Sequence, residues 1–98
     1  EVEIVLSAVG ITANIENIGL EVADIKTENG KIVVDEYYNT NVQNIYAIGD
    51  IINTPALAHV ASAEAITCIE KIAGQSPAPV DYNNIPSAVY TTPEVASV

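Results

Sequence analysis

The chain contains no arginine. Its three basic residues are Lys26, Lys31 and Lys71, set against thirteen acids, for a formal net charge of −10. Nucleic-acid phosphates are neutralised by clustered Lys or Arg, so that composition excludes nucleic acid as a partner. It equally excludes a polybasic membrane anchor. The acidic surplus reads as a solvated surface that favours solubility. Cys68 is the single cysteine, which excludes an internal disulfide and a cysteine-based metal site and suits a reducing cytoplasm. No apolar run approaches the roughly 20 residues that span a bilayer. The opening residues, E-V-E-I-V-L-S-A-V-G, carry acids where a secretory signal carries bases. The expectation is a cytoplasmic protein with no membrane partner. Internal repeats and low-complexity segments are also missing.

What is present supports a folded core, because 49% of the 98 residues are hydrophobic. That length suits one small domain or pieces of larger ones. The chain opens inside an apolar run and closes on V-A-S-V without a stop signal, so it is expected to be a fragment of a longer protein.

Glu3 to Val9, bounded by Gly10, reads as a buried strand. Asn14 to Asp24 reads as a loop. Asn29-Gly30 is a turn signal that lets Asp24–Thr27 pair with Lys31–Val34 as a hairpin. Ile45 to Ile48 reads as a strand. Thr54 and Pro55 suit a helix cap and first helical position. Ala56 to Ala73 is then the main helix, with Gly74 as its stop. Leu57, Ala61, Ala65, Cys68 and Ile72 share one face at helical spacing, with Glu64 and Glu70 on the polar side. Ile85 to Tyr90 reads as a last strand, and Thr92-Pro93-Glu94 as a helix start. Tyr37, Tyr38 and Tyr90 are expected to pack with their hydroxyls reaching solvent.

The segment N-I-Y-A-I-G-D, Asn44 to Asp50, joins a strand to an acid and then, a few residues on, to a helix. Ligands of α/β structures bind beyond the carboxyl ends of strands. A helix N-terminus offers unpaired N–H groups and partial positive charge. Gly49 removes a side chain, and Asp50 offers an acceptor suited to a sugar or polyol hydroxyl. The same acid can equally cap a nearby turn, and spacing alone leaves both readings open.

The wording adds more. T-N-V-Q-N-I-Y-A-I-G-D resembles the second flavin-binding motif of the pyridine-nucleotide disulfide oxidoreductases. P-A-L-A-H, Pro55 to His59, is similar to the P-M-L-A-H of the dihydrolipoamide dehydrogenase branch. Val80 to Val98, with P-S-A-V-Y-T-T-P-E-V-A-S-V, resembles the start of that branch's interface domain. S-A-V-G and N-I-G-L-E stand where the family has S-x-G-R-x-P-N and N-L-G-L-E.

The resemblance covers essentially the whole chain. It implies an α/β fold: a piece of a FAD/NAD(P)-binding Rossmann-like domain, with short strands and one main helix. Residues 1–12 would end the NAD-binding domain, residues 13–77 would form the central FAD-binding region, and residues 78–98 would begin an α+β interface domain. The implied activity is oxidation of protein-bound dihydrolipoamide with NAD as acceptor, by a homodimer carrying FAD. Asp50, beside Gly49, would bind the ribityl chain. Ala56, Leu57, Ala58 and His59 would offer backbone groups to the flavin's pyrimidine edge, and Gly10 would lie against NAD.

The family's C-x-x-x-x-C pair and its His-Glu pair have no counterpart in this chain. His59 is therefore expected to contribute backbone rather than proton chemistry, and Cys68 to pack. Ile11-Thr12-Ala13 stands where the family has an arginine and then a proline. Ala56 replaces a common Met and Val60 a common Lys. Two other readings stay open: a different flavoprotein disulfide reductase, and a non-enzymatic acidic module that binds a protein partner.

Overall fold

The computed structural model describes all residues, 1–98. Its first regular element is a hairpin of β1 (Thr27–Glu28) and β2 (Lys31–Ile32), antiparallel with Thr27 opposite Ile32. Asn29 and Gly30 turn it at φ values of 51° and 74°, the left-handed pair that a tight hairpin needs. Asn41 braces it from outside: its Oδ1 accepts the Lys26 N–H at 2.8 Å, and its Nδ2 donates to the Asp24 carbonyl at 2.7 Å. A 3-10 turn follows at Gly49–Ile51, then α1 (Ala58–Ile72). A second antiparallel hairpin, β3 (Ser87–Val89) with β4 (Val95–Ser97), closes the chain.

The C-terminal end of α1 is built as expected. The Gly74 N–H reaches the Lys71 carbonyl and the Gln75 N–H reaches the Glu70 carbonyl, each at 3.0 Å. This 5→2 and 6→1 pair satisfies carbonyls the helix leaves open. The run from Thr92 to Glu94 does not start a helix. It lies in the loop joining β3 to β4, with Thr91 Oγ1 donating to the Pro93 carbonyl at 2.8 Å.

Two expected strands are not strands. Residues 1–12 are not in regular structure, and Ile4 and Leu6 are 86% and 89% exposed. Ile45–Ile48 is held only by a single antiparallel bridge from Tyr46 to Asn39. A strand is completed by neighbours that take up its N–H and C=O groups. Residues 1–12 have no such neighbour in this chain, and Ile45–Ile48 has only the short stretch from Tyr38 to Thr40, which bonds the Ile45 carbonyl and the Ala47 N–H.

The core is small. Leu20, Ile32, Tyr38, Ala47, Ile52 and Cys68 form it, flanked by Ile15, Ile25, Val34, Ile48, Ile51 and Val80. The radius of gyration is 16.9 Å, against about 13 Å for a compact domain of 100 residues. Much apolar surface, from Val2 to Val98, therefore stays uncovered by this chain.

Asp35 organises the approach to the core. Its Oδ1 accepts the Tyr37 and Asn39 N–H groups at 2.9 and 3.0 Å, and Asn39 Nδ2 donates to both carboxylate oxygens. Burial pushes the Asp35 carboxyl up. The hydrogen bonds from Asn39 and Tyr37, with the Lys71 charge, outweigh that and hold its pKa below the ordinary 3.8. A carboxyl lowered on folding stabilises above its unfolded pKa, and that stability is lost as pH falls through the folded value. Asp35→Ala in the intact protein is thus expected to lower stability at neutral pH. The gap in unfolding midpoint between variant and wild type should hold above the ordinary carboxyl value and narrow as pH falls below it.

Candidate functional site

Gly49 sets the position of the site. Its φ is +73°, and a Cβ built on it would stand 3.3 Å from Ala61 Cβ. Gly is therefore required twice, for the left-handed backbone and for the close approach to α1. Ala61 has little bulk, so the 3-10 turn lies directly on the first turns of the helix. The Ile52 N–H closes the 3-10 turn onto the Gly49 carbonyl at 3.0 Å, and Ile52, 0% exposed, anchors it in the core.

Asp50 projects from this turn as an exposed residue. Lys31 Nζ donates to its backbone carbonyl. Its carboxylate takes no hydrogen bond within the chain, so it does not cap a turn.

The helix begins later than the sequence suggests. Its N-cap is Leu57, at φ −136°, with no side-chain cap. Thr54 is three residues too early: its N–H donates to the Ile52 carbonyl, and its Oγ1 is buried without a partner. Ala56 and Leu57 thus form the lead-in rather than the first turn. The Leu57 N–H is engaged by the Pro55 carbonyl at 2.8 Å, and the Ala61 N–H by the Leu57 carbonyl at 3.0 Å. The amides of Ala58, His59 and Val60 remain without an acceptor, and no acid stands in the first turn. An electron-rich group is favoured there by both the open N–H groups and the helix dipole.

The structure therefore packs the turn that carries Gly49 and Asp50 against α1, whose first residues are Ala58 and His59, with Ala56 and Leu57 leading into the helix. Gly10 is not part of this arrangement: it lies in the exposed 1–12 arm, with no atom within 4 Å of its Cβ position. The His59 side chain faces elsewhere. Its Nε2 donates to the Pro86 carbonyl at 2.9 Å, fastening the start of α1 to the lead-in of β3.

Two clefts flank this region. One, of about 710 Å³, runs between the β1–β2 hairpin, Tyr38, Thr54 and Tyr82. The other, of about 800 Å³, lies on the β3–β4 hairpin beside His59. Asp50 lines neither.

Glu64 is the residue that the sequence reading misplaced. It was expected on the solvated side of α1 and is 0% exposed. Its Oε2 accepts the Gly49 N–H at 2.6 Å and its Oε1 the Tyr82 hydroxyl at 2.9 Å. Val60, Glu64, Thr67 and Cys68 are the buried residues of the helix, while Ile72 is 51% exposed. Of the expected stripe Leu57, Ala61, Ala65, Cys68 and Ile72, only Cys68 is buried, so the buried face is rotated from it. A stripe drawn from apolar residues turns every acid outward, but here a buried amide needed an acceptor. The available signal was the spacing of Glu64, four residues from both Val60 and Cys68.

Tyr38, also expected to reach solvent, is buried and its hydroxyl lies 3.0 Å from that of Tyr82. Burial raises the pKa of both tyrosines, and for Tyr82 the bond it donates to Glu64 adds to that rise. Cys68 packs in the core as expected, its thiol raised by burial and then by Asp35. Tyr37 instead carries Lys71 Nζ over its ring at 4.2 Å, and Tyr90 is exposed.

Comparison with known proteins places relatives beside this geometry. The family described as pyridine nucleotide-disulphide oxidoreductase matches residues 1–65. The dihydrolipoyl dehydrogenase of Rhizobium etli is 50% identical over 94 residues, which is 95% of this chain and 20% of that protein. That of Bacillus subtilis is 51% identical over 96 residues, 98% of this chain and 20% of the relative. The crystal structure of LpdA from Mycobacterium tuberculosis superposes with a TM-score of 0.79 at 29% identity, over 87% of this chain and 19% of that one. The chain thus spans about a fifth of the length of the curated relatives it matches.

Proposed function

The chain belongs to the pyridine nucleotide-disulphide oxidoreductase family, and from that premise we propose that it is an internal segment of a FAD-dependent dihydrolipoamide dehydrogenase. The whole protein would oxidise a protein-bound dihydrolipoamide and reduce NAD. One observation carries the flavin part of this reading. Asp50 offers a carboxylate with no partner of its own, and Ala58, His59 and Val60 offer amides with none, on two elements held together by the Gly49–Ala61 contact.

The donor set fits FAD. An unengaged carboxylate suits a polyol chain, and open amides at a positive helix tip suit the electron-rich edge of a flavin ring. When bound, FAD supplies the two-electron chemistry between thiols and nicotinamide. The residues of this chain bind and orient. Asp50 would accept hydrogen bonds from hydroxyls of the ribityl chain, and the open amides at the α1 tip would face the electron-rich edge of the ring. Gly49 keeps the turn low enough for both. No proton or thiol chemistry falls to this segment: Cys68 is buried in the core and the His59 ring is engaged by Pro86.

In the same reading, residues 1–12 end the NAD-binding domain with Gly10 against NAD. Residues 13–77 form the central region and residues 78–98 open the interface domain of a homodimer. The uncovered apolar surface supports a chain that is completed by other segments. No helix is long and apolar enough to cross a membrane, and a cytoplasmic enzyme acting on a lipoyl-bearing protein accords with that.

The test is dihydrolipoamide-dependent NAD reduction by the full-length protein, with a panel of other disulfide substrates alongside. Preference for another disulfide would move the reading to a different reductase of the family. The isolated 98-residue chain is expected to give no dihydrolipoamide-dependent NAD reduction, because it holds neither a thiol pair nor a free catalytic base. Turnover above the buffer blank by the purified segment would contradict the assignment of roles.

A further inference from the structure

We propose that Glu64 is a positioning residue for the flavin site: by holding the Gly49 amide it fixes the direction in which the Gly49–Ile51 turn presents Asp50. The inference rests on the flavin reading above and adds to it a residue that makes no contact with the ligand.

Inside the turn a single backbone bond closes it, from the Ile52 N–H to the Gly49 carbonyl, and Ile48 before it provides no side-chain cap. Its far end is held by Lys31 on the Asp50 carbonyl and by Ile52 in the core, which leaves the Gly49 end to α1. Gly49 is itself buried, so its N–H has no water to turn to. Glu64 Oε2 takes that N–H at 2.6 Å. The acceptor comes from the same helix whose open tip forms the other half of the site. Turn and tip are thereby registered to each other by one side chain.

Glu64 is held in turn from its other oxygen. Tyr82 donates its only hydroxyl proton to Oε1 at 2.9 Å, so in the 3.0 Å pair with Tyr38 it is Tyr38 that donates. The result is a directional series, Tyr38 to Tyr82 to Glu64, meeting the Gly49 amide at the carboxylate. Tyr82 lies in the segment after α1 and Tyr38 in the segment before the turn. The orientation of Asp50 therefore depends on three stretches of chain that meet at one carboxylate.

The test uses the full-length protein and measures FAD dissociation, the bound-flavin absorption spectrum, KM for NAD and thermal unfolding of the apoprotein. Glu64→Gln keeps one acceptor oxygen for the Gly49 amide and should bind FAD within about threefold of wild type. Glu64→Leu, close in size, keeps none. It should bind FAD about tenfold more weakly and shift the flavin spectrum, with KM for NAD unchanged. Tyr82→Phe should fall between the two.

If Glu64→Leu does not fold, Glu64→Asp decides. It retains the charge but loses reach, so it should bind FAD more weakly than Glu64→Gln. The reverse order would overturn the proposal, as would wild-type FAD binding by Glu64→Leu. Asp50→Ala run alongside separates the two levels. Unchanged FAD binding in Asp50→Ala means the flavin reading itself fails. Weakened binding there, with none in Glu64→Leu, removes only the positioning role.

Discussion

Asp50→Ala in the full-length protein is expected to weaken FAD binding about 10- to 150-fold, as expected for losing about 1.5–3 kcal/mol of hydrogen bonding to a charged acceptor. The substitution is clean because the carboxylate has no other role. It is exposed and accepts no bond within the chain, and Lys31 uses only the Asp50 carbonyl, which survives in alanine. Stability of the apoprotein should therefore stay within about 0.5 kcal/mol of wild type. Asp50→Asn keeps an acceptor oxygen and loses the charge, so its effect should be smaller, about three- to tenfold. Fluorescence titration of apoprotein with FAD, paired with thermal unfolding, separates the outcomes. A fall in stability with unchanged FAD binding would make Asp50 structural.

Gly49→Ala and Gly49→Val are expected to have the opposite profile, with stability lost first. At φ +73° a side chain costs about 1–2 kcal/mol in backbone strain alone. The new Cβ would also stand 3.3 Å from Ala61 Cβ, tighter than ordinary contact, with a helix behind it that does not yield easily. Gly49→Ala should destabilise by about 2–3 kcal/mol, and Gly49→Val, branched at the crowded atom, by more than about 3 kcal/mol. Gly30→Ala is the control. It shares the positive φ, at 74°, but meets nothing within 4 Å. It should lose only the backbone part, about 1–2 kcal/mol. Equal losses at the two positions, read from unfolding of the intact protein, would show that the turn does not rest on α1.

Local chemistry was legible and non-local pairing was not. Asn29-Gly30 announces the β1–β2 hairpin because two left-handed residues suit few other structures. Gly74 announces the end of α1 because the carbonyls of Glu70 and Lys71 need donors from just beyond it. The helix cap lies three residues beyond the one the sequence suggests, at Leu57 rather than Thr54. Thr54-Pro55 has the composition of a cap, yet the chain spends those residues crossing from the turn to Leu57. Glu3–Val9 has strand composition without a strand partner and Ile45–Ile48 has only one bridge, and partners are not written in a local window. Thr92-Pro93-Glu94 looked like a helix start, but Val95 to Ser97 pairs back onto Ser87 to Val89.

The candidate site divides along the same line. Gly49, Asp50 and the residues up to His59 could be picked out because strand end, acid and helix start follow one another in sequence. Glu64 was marked only by its helical spacing from Val60 and Cys68, and its role was not, because its partners are 15 and 18 residues away, at Gly49 and Tyr82. An acid on a helix is normally solvated. Only the presence of a buried amide opposite it reverses that rule, and the amide is visible only once the turn has been laid on the helix.

The most direct measurement is an experimental structure of the full-length protein with FAD bound. The account predicts an Asp50 oxygen within about 2.5–3.0 Å of a ribityl hydroxyl. It also predicts the pyrimidine edge of the ring facing the amides of Ala58, His59 and Val60. An Asp50 carboxylate turned to solvent, with the flavin ring away from the tip of α1, would contradict it.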